Sequence, residues 1–449
     1  MTSDFRAEYD AYCEEHGTPE RLELMLCDIN AVLRGKWLPA DQVDKLLTGE
    51  VRLPLATYAP NIMGYEVEET GLGSWIGDPD GYLVPVLGTL KRVPWAAGNV
   101  AQVLVEMTDD TGEISYLSPR EQLRRVLGRC HDAGLYPVVA TELEFYIIKQ
   151  REDGSSPPEP PNDLPGAQNY DLEVLSEQEG LLTRILRGAQ TQGIPTDTLI
   201  AEYGPGQFEV NFRHTDDVLA AADAALLFKR LVVGVVHDEG LEATFMAKPY
   251  ADEPGNGMHV HASMLDAEGY NVFASTMEGE VSDTLKKAVA GVLHTMPEMQ
   301  AIFAPHLNSY RRFQPGSFSP TAPDWGVDNR AAGIRLPDVD GQAARLEHRI
   351  AGADVNPYLV LAAILAGMLE GLQNDFPLRP ALDDEGASDA DPLSHDWQSA
   401  VQCFEASDFA VRTFGEDYHK VYTAIRQDEI KELCSIITEV EYRHYLSRL

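Results

Sequence analysis

PVVATELEFYII, residues 137–148, is the stretch on which the fold turns. Alternation puts Glu142 and Glu144 on one face of a strand, with Leu143 and Phe145 on the other. The spacing alone says little. With 72 Asp and Glu in 449 residues, chance supplies an acid two positions from another about 11 times. The setting says more. The strand is apolar on both sides of the pair, so these carboxylates lie where an unpaired charge is very costly and a partner is required.

Three further segments carry the same signature. In LIAEYGPGQFEVNFRH (199–214) the Gly204-Pro205-Gly206 turn folds the chain back, so Glu202 and Glu209 can point into one space; a hairpin with two exposed acids fits equally. In NGMHVHAS (256–263) His259 and His261 share a strand face, and Gly255 and Gly257 leave room for close backbone approach. In LEHR (346–349) two ionic residues again face one way, and Asn356-Pro357 caps an apolar helix. Five Glu and a His from four strands suit a hard divalent cation, Mg²⁺ or Mn²⁺, whereas zinc calls for more His or Cys. The chain has 25 Arg and only 10 Lys, and Arg311, Arg312, Arg330, Arg335, Arg345 and Arg349 fall within 39 residues. Arginine forks bind phosphate and carboxylate bidentately. Metal ligands beside such a cluster point to phosphoryl transfer, and no GxxxxGK[ST] is present to make it a P-loop enzyme.

The rest of the chain bounds the reading. Net charge is −37 and the pI near 4.5, which argues against nucleic acid and membrane surfaces as partners. Five scattered cysteines without CxxC fit a reducing compartment, and the first residues show no secretory signal, so a cytoplasmic location is expected. The longest apolar run, Tyr358–Leu369, is too short to span a bilayer and reads as a buried helix. Helices are expected over 5–16, 40–48, from a capping box at Ser118 to about 132, and over 173–192, 216–239, 283–296, 356–372 and much of 410–446. Strands are expected at 21–28, 102–107, 137–148, 198–202, 207–214, 244–248, 258–264 and 344–350. Residues 50–100 read as a small sheet with long loops, and 151–167 as a proline-rich surface loop. The composition shift places a domain boundary near 110, giving segments 1–110 and 111–449.

These segments, in this order, resemble the glutamine synthetase family over about residues 20–445. DGYLVPVLGTLKRVPW (80–95), ELEF (142–145), AEYGPGQFEVNF (201–212), GMHVHASM (257–264), NSYRRFQPG (308–316), NRAAGIRLP (329–337) and RLEHRIAGADVNPYL (345–359) carry the resemblance. Within the family the chain looks closest to the γ-glutamylpolyamine (γ-glutamylputrescine) synthetases, through DINAVLRGKWLP (28–39), DTLIAEYGPGQFEVNFRH (197–214) and TFMAKPYADEPGNGMHVH (244–261). The resemblance implies an α+β fold: a small β-grasp-like N-terminal domain and a large catalytic domain with a curved antiparallel sheet flanked by helices. It implies a ring-type homo-oligomer, a dodecamer, with active sites between neighbouring subunits. It assigns Glu144, Glu202 and Glu209 to one metal ion and Glu142, His259 and Glu347 to a second. Arg312 and Arg349 would grip glutamate, with the Gly255 backbone at its amine end. His261, Ser263, Arg330, Arg335 and Arg345 match the ATP positions, and Arg330, Arg312 and Glu209 would serve the chemistry directly. The implied reaction is ATP-dependent joining of the γ-carboxyl of L-glutamate to an amine through a γ-glutamyl phosphate, with Mg²⁺ or Mn²⁺.

Three departures bear on the amine. Family members that use ammonia carry an acid where this chain has Phe318, and an Asp in the N-domain loop that here reads LPLATYAPNIMG (53–64), without an acid. Pro254 stands where an Asn is usual. An organic amine is therefore expected, a polyamine such as putrescine, with a monoamine (methylamine, ethanolamine) or ammonia as alternatives. An inactive assembly protein would have lost metal ligands, and every ligand position here is filled. A glycosidase built on carboxylate pairs would not explain the arginines.

Overall fold

The computed structural model describes residues 2–109, 111–161, 166–314, 318–382 and 388–449. The expected boundary at 110 and parts of the 151–167 and 308–316 stretches thus lie outside the described residues. The chain opens with α1 (Thr2–His16), β1 (Arg21–Cys27), β2 (Leu33–Pro39), α2 (Val43–Leu47), β3 (Arg52–Pro54), β4 (Asp80–Pro85), β5 (Lys91–Arg92) and β6 (Val100–Thr108). The strands form one six-stranded sheet in the order β2-β1-β6-β4-β3, with β5 also on β6. β1 and β6 run parallel at its centre, and both are buried almost throughout.

Then follow α3 (Pro119–Asp132), β7 (Tyr136–Lys149), α4 (Leu172–Glu177), α5 (Glu179–Thr191), β8 (Thr196–Ala201), β9 (Gln207–Phe212), α6 (Val218–Asp238), β10 (Leu241–Thr244), β11 (Met258–Leu265), α7 (Asp283–Phe303), β12 (Trp325–Val327), β13 (Ile334–Asp338), β14 (Arg345–His348), α8 (Pro357–Gln373), α9 (Trp397–Glu405), α10 (Asp408–Phe414), α11 (Glu416–Cys434) and α12 (Glu439–Tyr445). The second sheet has the order β12-β13-β14-β11-β7-β9-β8, with β10 also on β7. All its pairs are antiparallel except β12–β13. One face carries the apolar residues of β7 and β9, among them Leu143, Phe145, Phe208 and Val210, into a core closed by α6 and its Phe228. The acids lie on the other face.

Helix α8 is apolar all round and buried from Pro357 to Leu369, as a helix at the centre of a core must be. It crosses α7 backbone to backbone: a Cβ on Gly291 would land inside the main chain of Gly367 and Gly371. Its cap, Asn356, accepts from the Tyr358 N–H and also donates to the Asp28 carbonyl at 3.0 Å, which ties the second sheet's core to the first. Arg120 makes a similar tie, donating to Glu106 at 3.2 Å and Asp223 at 2.9 Å.

Four expectations change in detail. The Ser118 cap accepts from the Glu121 N–H, but the Glu121 carboxylate bonds Arg124 and Arg125 rather than returning to Ser118, so the box is half made. The helix expected over 173–192 breaks at Gln178 into α4 and α5. The helix expected over 410–446 breaks at Gly415, whose φ is +82°, and again after Cys434. The strand expected at 244–248 runs instead from Leu241 to Thr244. Beyond it the Met246 and Ala247 carbonyls accept from Asn256, which draws the chain out of the ladder and toward the acidic face.

Candidate active site

Sheet register writes the site. On β7, Glu142 stands opposite His259 of β11 and Asn211 of β9, and Glu144 opposite Glu209. On β14, Glu347 stands opposite His261 of β11 and Arg335 of β13. Alternation on five adjacent strands thus gathers the ionic residues on one face. Above it opens a cleft of about 930 Å³, lined by Glu142, Glu144, Glu202, Glu209, Gly255, His259, Arg312, Phe318, Arg330, Arg335, Glu347 and Arg349. His261, Ser263 and Arg345, expected at the nucleotide, are not on its lining. His261 sits behind it.

The hydrogen bonds fix tautomers. Arg345 Nε donates to His261 Nδ1 at 3.3 Å, so His261 Nε2 carries the proton that bonds Glu142 Oε1 at 2.9 Å. The other oxygen of Glu142 meets His259 Nδ1 at 3.0 Å. If that nitrogen donates, His259 Nε2 keeps its lone pair for an ion, the usual arrangement behind a metal-bound imidazole. Burial would raise Glu142, but the two imidazoles hold it well below the usual carboxylate range. Glu347 is almost wholly buried; burial pushes it up, and Arg349 and the two histidines more than offset that. It accepts from Arg335 Nη1 at 2.9 Å and from Arg349.

Glu202 and Glu209 are in the opposite situation. Burial, then the neighbouring Glu144, push Glu202 up to about 7. Burial, then Glu142, Glu144 and Glu202, push Glu209 well above its ordinary value, with only the Asn211 amide at 2.8 Å opposing. Glu144 accepts from the Gly257 N–H at 2.6 Å. This is a set of converging carboxylates short of cations, the condition a bound divalent ion relieves. Carboxylate oxygens with one or two imidazoles fit Mg²⁺ or Mn²⁺. Donor atoms of Glu142, Glu209 and His259, and of Glu142, His261 and Glu347, lie within 4.8 Å of one another. These groupings share Glu142 and bring in His261, so they cut across the two sets that the resemblance implied.

The residues expected at glutamate are equally constrained. Arg312 is buried and donates to the Ile350 carbonyl at 2.9 Å. Gly255 lies against it: a Cβ there would come within 2.5 Å of the Ala247 carbonyl oxygen and 2.7 Å of Arg312 Cγ. Gln207 Nε2 donates to the Gly255 carbonyl at 3.0 Å, and Tyr146 Oη to that of Pro254 at 2.8 Å. Pro254 therefore serves through its carbonyl.

Sequence reasoning passed over Gln168, Gln207, Asn211 and Asp328. Gln207 sits in the quoted AEYGPGQFEV segment, and its polarity inside a buried strand was the available signal. Gln168 is far in sequence from what it supports, and Asp328 lies just outside the quoted NRAAGIRLP segment, seven residues before Arg335. Gln168 Nε2 bonds the Glu202 and Gln207 carbonyls at 3.1 and 2.8 Å, and Asp328 accepts from Arg335 at 2.6 Å. The acid-free 53–64 stretch lines no part of this cleft. It packs on α11, with the Ile62 N–H donating to Glu429 at 2.6 Å.

The profile of the family described as "Glutamine synthetase, catalytic domain" matches residues 116–445. The chain belongs to the glutamine synthetase family. It is accordingly a carbon–nitrogen ligase, of a family that works with ATP and a divalent metal. It is 41% identical to the γ-glutamylputrescine synthetase of Escherichia coli, across 98% of this chain and 94% of that one. It is 32% identical to a glutamate–isopropylamine ligase of a Pseudomonas species, across 97% and 96%. A solved structure titled as the GmaS/ADP complex superposes with a TM-score of 0.85 at 27% identity, covering 98% of this chain and 99% of that one. Among the described residues no helix is long and apolar enough to cross a membrane.

The raised carboxylates give a pH-dependent prediction. An acid whose folded pKa is raised contributes stability below its unfolded value, and loses it as pH rises through the folded value. For Glu202 that window runs from about 4.5 to about 7. The metal-free protein therefore carries this repulsion in full at pH 8 and only in part at pH 6. Thermal stabilisation by Mn²⁺ or Mg²⁺ is expected to be larger at pH 8, by several degrees, with protons released on binding at pH 7. Melting curves with and without metal at the two pH values check this; equal shifts would contradict it.

Proposed function

We propose that this protein joins the γ-carboxyl of L-glutamate to an organic amine at the expense of ATP, through a γ-glutamyl phosphate, with polyamines such as putrescine favoured. The carrying observation is the cleft's lining. The carboxylates and arginines of ligation share it with Phe318, a ring where the family resemblance places an acid in ammonia-using members. The named activities of the two relatives above, γ-glutamylputrescine synthesis and isopropylamine ligation, support an organic amine.

Divalent ions, Mg²⁺ or Mn²⁺, would sit among Glu142, Glu144, Glu202, Glu209, His259 and Glu347, and when bound would offset charge on the transferring phosphoryl group. The chain's own groups do the rest. Arg312 and Arg349 orient glutamate from a buried, hydrogen-bonded base, so little freedom is lost on binding. Arg330 faces the cleft, where phosphoryl charge would develop, and Arg335 is already braced by Glu347 and Asp328. The carboxylates Glu202 and Glu209 line the cleft where a cationic amine would be drawn in. The family's double-ring assembly, with a neighbour completing each site, is the quaternary state we infer. The free cysteines fit a cytoplasmic setting, and the two sheets fit a division into an N-terminal and a catalytic domain near residue 110.

Catalytic efficiency with a primary alkylamine or diamine is expected to exceed that with ammonium at least tenfold, about 1.4 kcal/mol of transition-state discrimination. Phe318→Glu is expected to narrow the gap. Steady-state phosphate release with ammonium, methylamine, ethanolamine, putrescine and spermidine tests both. Ammonium as the best substrate would mean an ordinary glutamine synthetase with its base relocated.

A further inference from the structure

Two large rings line the cleft and stand exposed in the single chain. Tyr203 is 42% exposed and Phe318 69% exposed, their centroids 5.1 Å apart with a 50° tilt. Both supports are rigid or strained. Tyr203 lies in the β8–β9 turn, where its carbonyl accepts from Gln168 N at 3.0 Å and Gln207 N closes onto the Gly204 carbonyl at 2.9 Å. Gln168 Oε1 also takes the Gly206 N–H at 2.7 Å. Phe318 has a φ of +59°, a conformation bulky residues seldom hold without an overriding constraint. The two rings make one continuous aromatic surface next to Glu202.

We propose that Tyr203, with Phe318, is the chain-length selector of the amine site, and that it reads the methylene chain of a primary alkylamine. This rests on the organic-amine reading above. An ammonium head is drawn to Glu202, beside Glu144 and Glu209. Tyr203 and Phe318 line the same cleft as that carboxylate and touch each other, so a tail leaving the head has the rings to run onto. An aromatic surface has no means of recognising ammonium's missing tail, but it rewards each methylene it removes from water, by about fourfold per CH₂. The phenol oxygen has no part in this; the ring does.

The test is kcat/KM for n-alkylamines of one, three and five carbons. The native enzyme is expected to climb with length. Tyr203→Ala is expected to lower the five-carbon to one-carbon ratio at least tenfold, while Tyr203→Phe keeps it within about twofold. Phe318→Ala, read the same way, serves if Tyr203→Ala does not fold, and is expected to shift the ratio in the same direction. Tyr270→Ala, an exposed tyrosine outside the cleft, is expected to leave the ratio unchanged. A flat length series in an enzyme that accepts alkylamines would overturn the proposal. So would an equal fall for every amine in Tyr203→Ala, which marks a structural role, or a Tyr203→Phe variant as poor as alanine, which marks a role for the phenol. Failure of the reading beneath looks different: no alkylamine is then a substrate at all.

Discussion

Glu202→Gln is expected to abolish ligation and yet to raise the stability of the metal-free protein at pH 8. Glu202 is pushed up to about 7 by burial and by Glu144. Above that pH it is held ionised in a site already crowded with negative charge. Replacing the carboxylate with an isosteric amide removes a penalty on the order of 2 kcal/mol, worth a few degrees in melting temperature. The same change removes a proposed metal ligand and part of the proposed pull on the amine, so turnover is expected to fall at least about 100-fold. Stabilisation by Mn²⁺ should shrink with it. Glu347→Gln makes the contrast. Glu347 neutralises Arg349 and, together with Asp328, Arg335 from a buried position, so its loss takes the carboxylate from buried Arg349 and is expected to destabilise by about 3 kcal/mol. The two variants thus move stability in opposite directions while both lose activity. Differential scanning fluorimetry at pH 6 and 8, with and without Mn²⁺, and phosphate-release assays decide. A Glu202→Gln enzyme with more than a tenth of native turnover, or an unchanged metal shift, would remove Glu202 from the site.

That contrast could not have been drawn from the sequence, and the reason is physical. Strand alternation is a local rule, so the shared face of Glu142 and Glu144, or of His259 and His261, was legible in PVVATELEFYII and GMHVHAS. Which acid meets which partner depends on inter-strand register, and register is set by long-range packing. Glu347 opposite Arg335, and Glu144 opposite Glu209, appear only once the sheet is assembled. The same holds for His261. The family resemblance put it among the nucleotide positions; that register and the Arg345 donor turn it toward Glu142 appears only in the folded sheet. Elements decided by periodicity over many residues, such as α6 and α8, match their expected spans within two residues, whereas α7 runs seven residues past the expected end at 296, through Pro297; elements decided by a side-chain bond to a distant loop differ more in kind. The strand expected at 244–248 moved because Asn256, twelve residues past Thr244, competes for its carbonyls. The Glu121 half of the capping box failed because two arginines outbid a backbone N–H.

Arg330→Lys is expected to cost 100- to 1,000-fold in kcat, roughly the effect of removing one positioned donor to developing charge, with almost no change in stability. The prediction depends on where Arg330 stands. It is exposed on the cleft wall, with its charge felt by Glu202 and Tyr170. Exposed substitutions of this kind shift folding stability by about 0.5 kcal/mol or less. Lysine preserves the charge, so simple steering of anionic substrates survives, and KM for glutamate should change little. What lysine lacks is the planar fork that meets two oxygens of a transferring phosphoryl group at once. Arg335 lies five residues on and is a different case: its fork is already engaged by Asp328 and Glu347. Arg335→Lys is therefore expected to lower both the melting temperature and turnover, because it loosens the brace on Glu347 as well as the site. Measuring kcat, KM and melting temperature for the two lysine variants side by side separates a group that acts on substrate from one that holds the framework. Near-native kcat in Arg330→Lys would show that a point charge suffices there, and would move phosphoryl stabilisation to the buried pair Arg312 and Arg349.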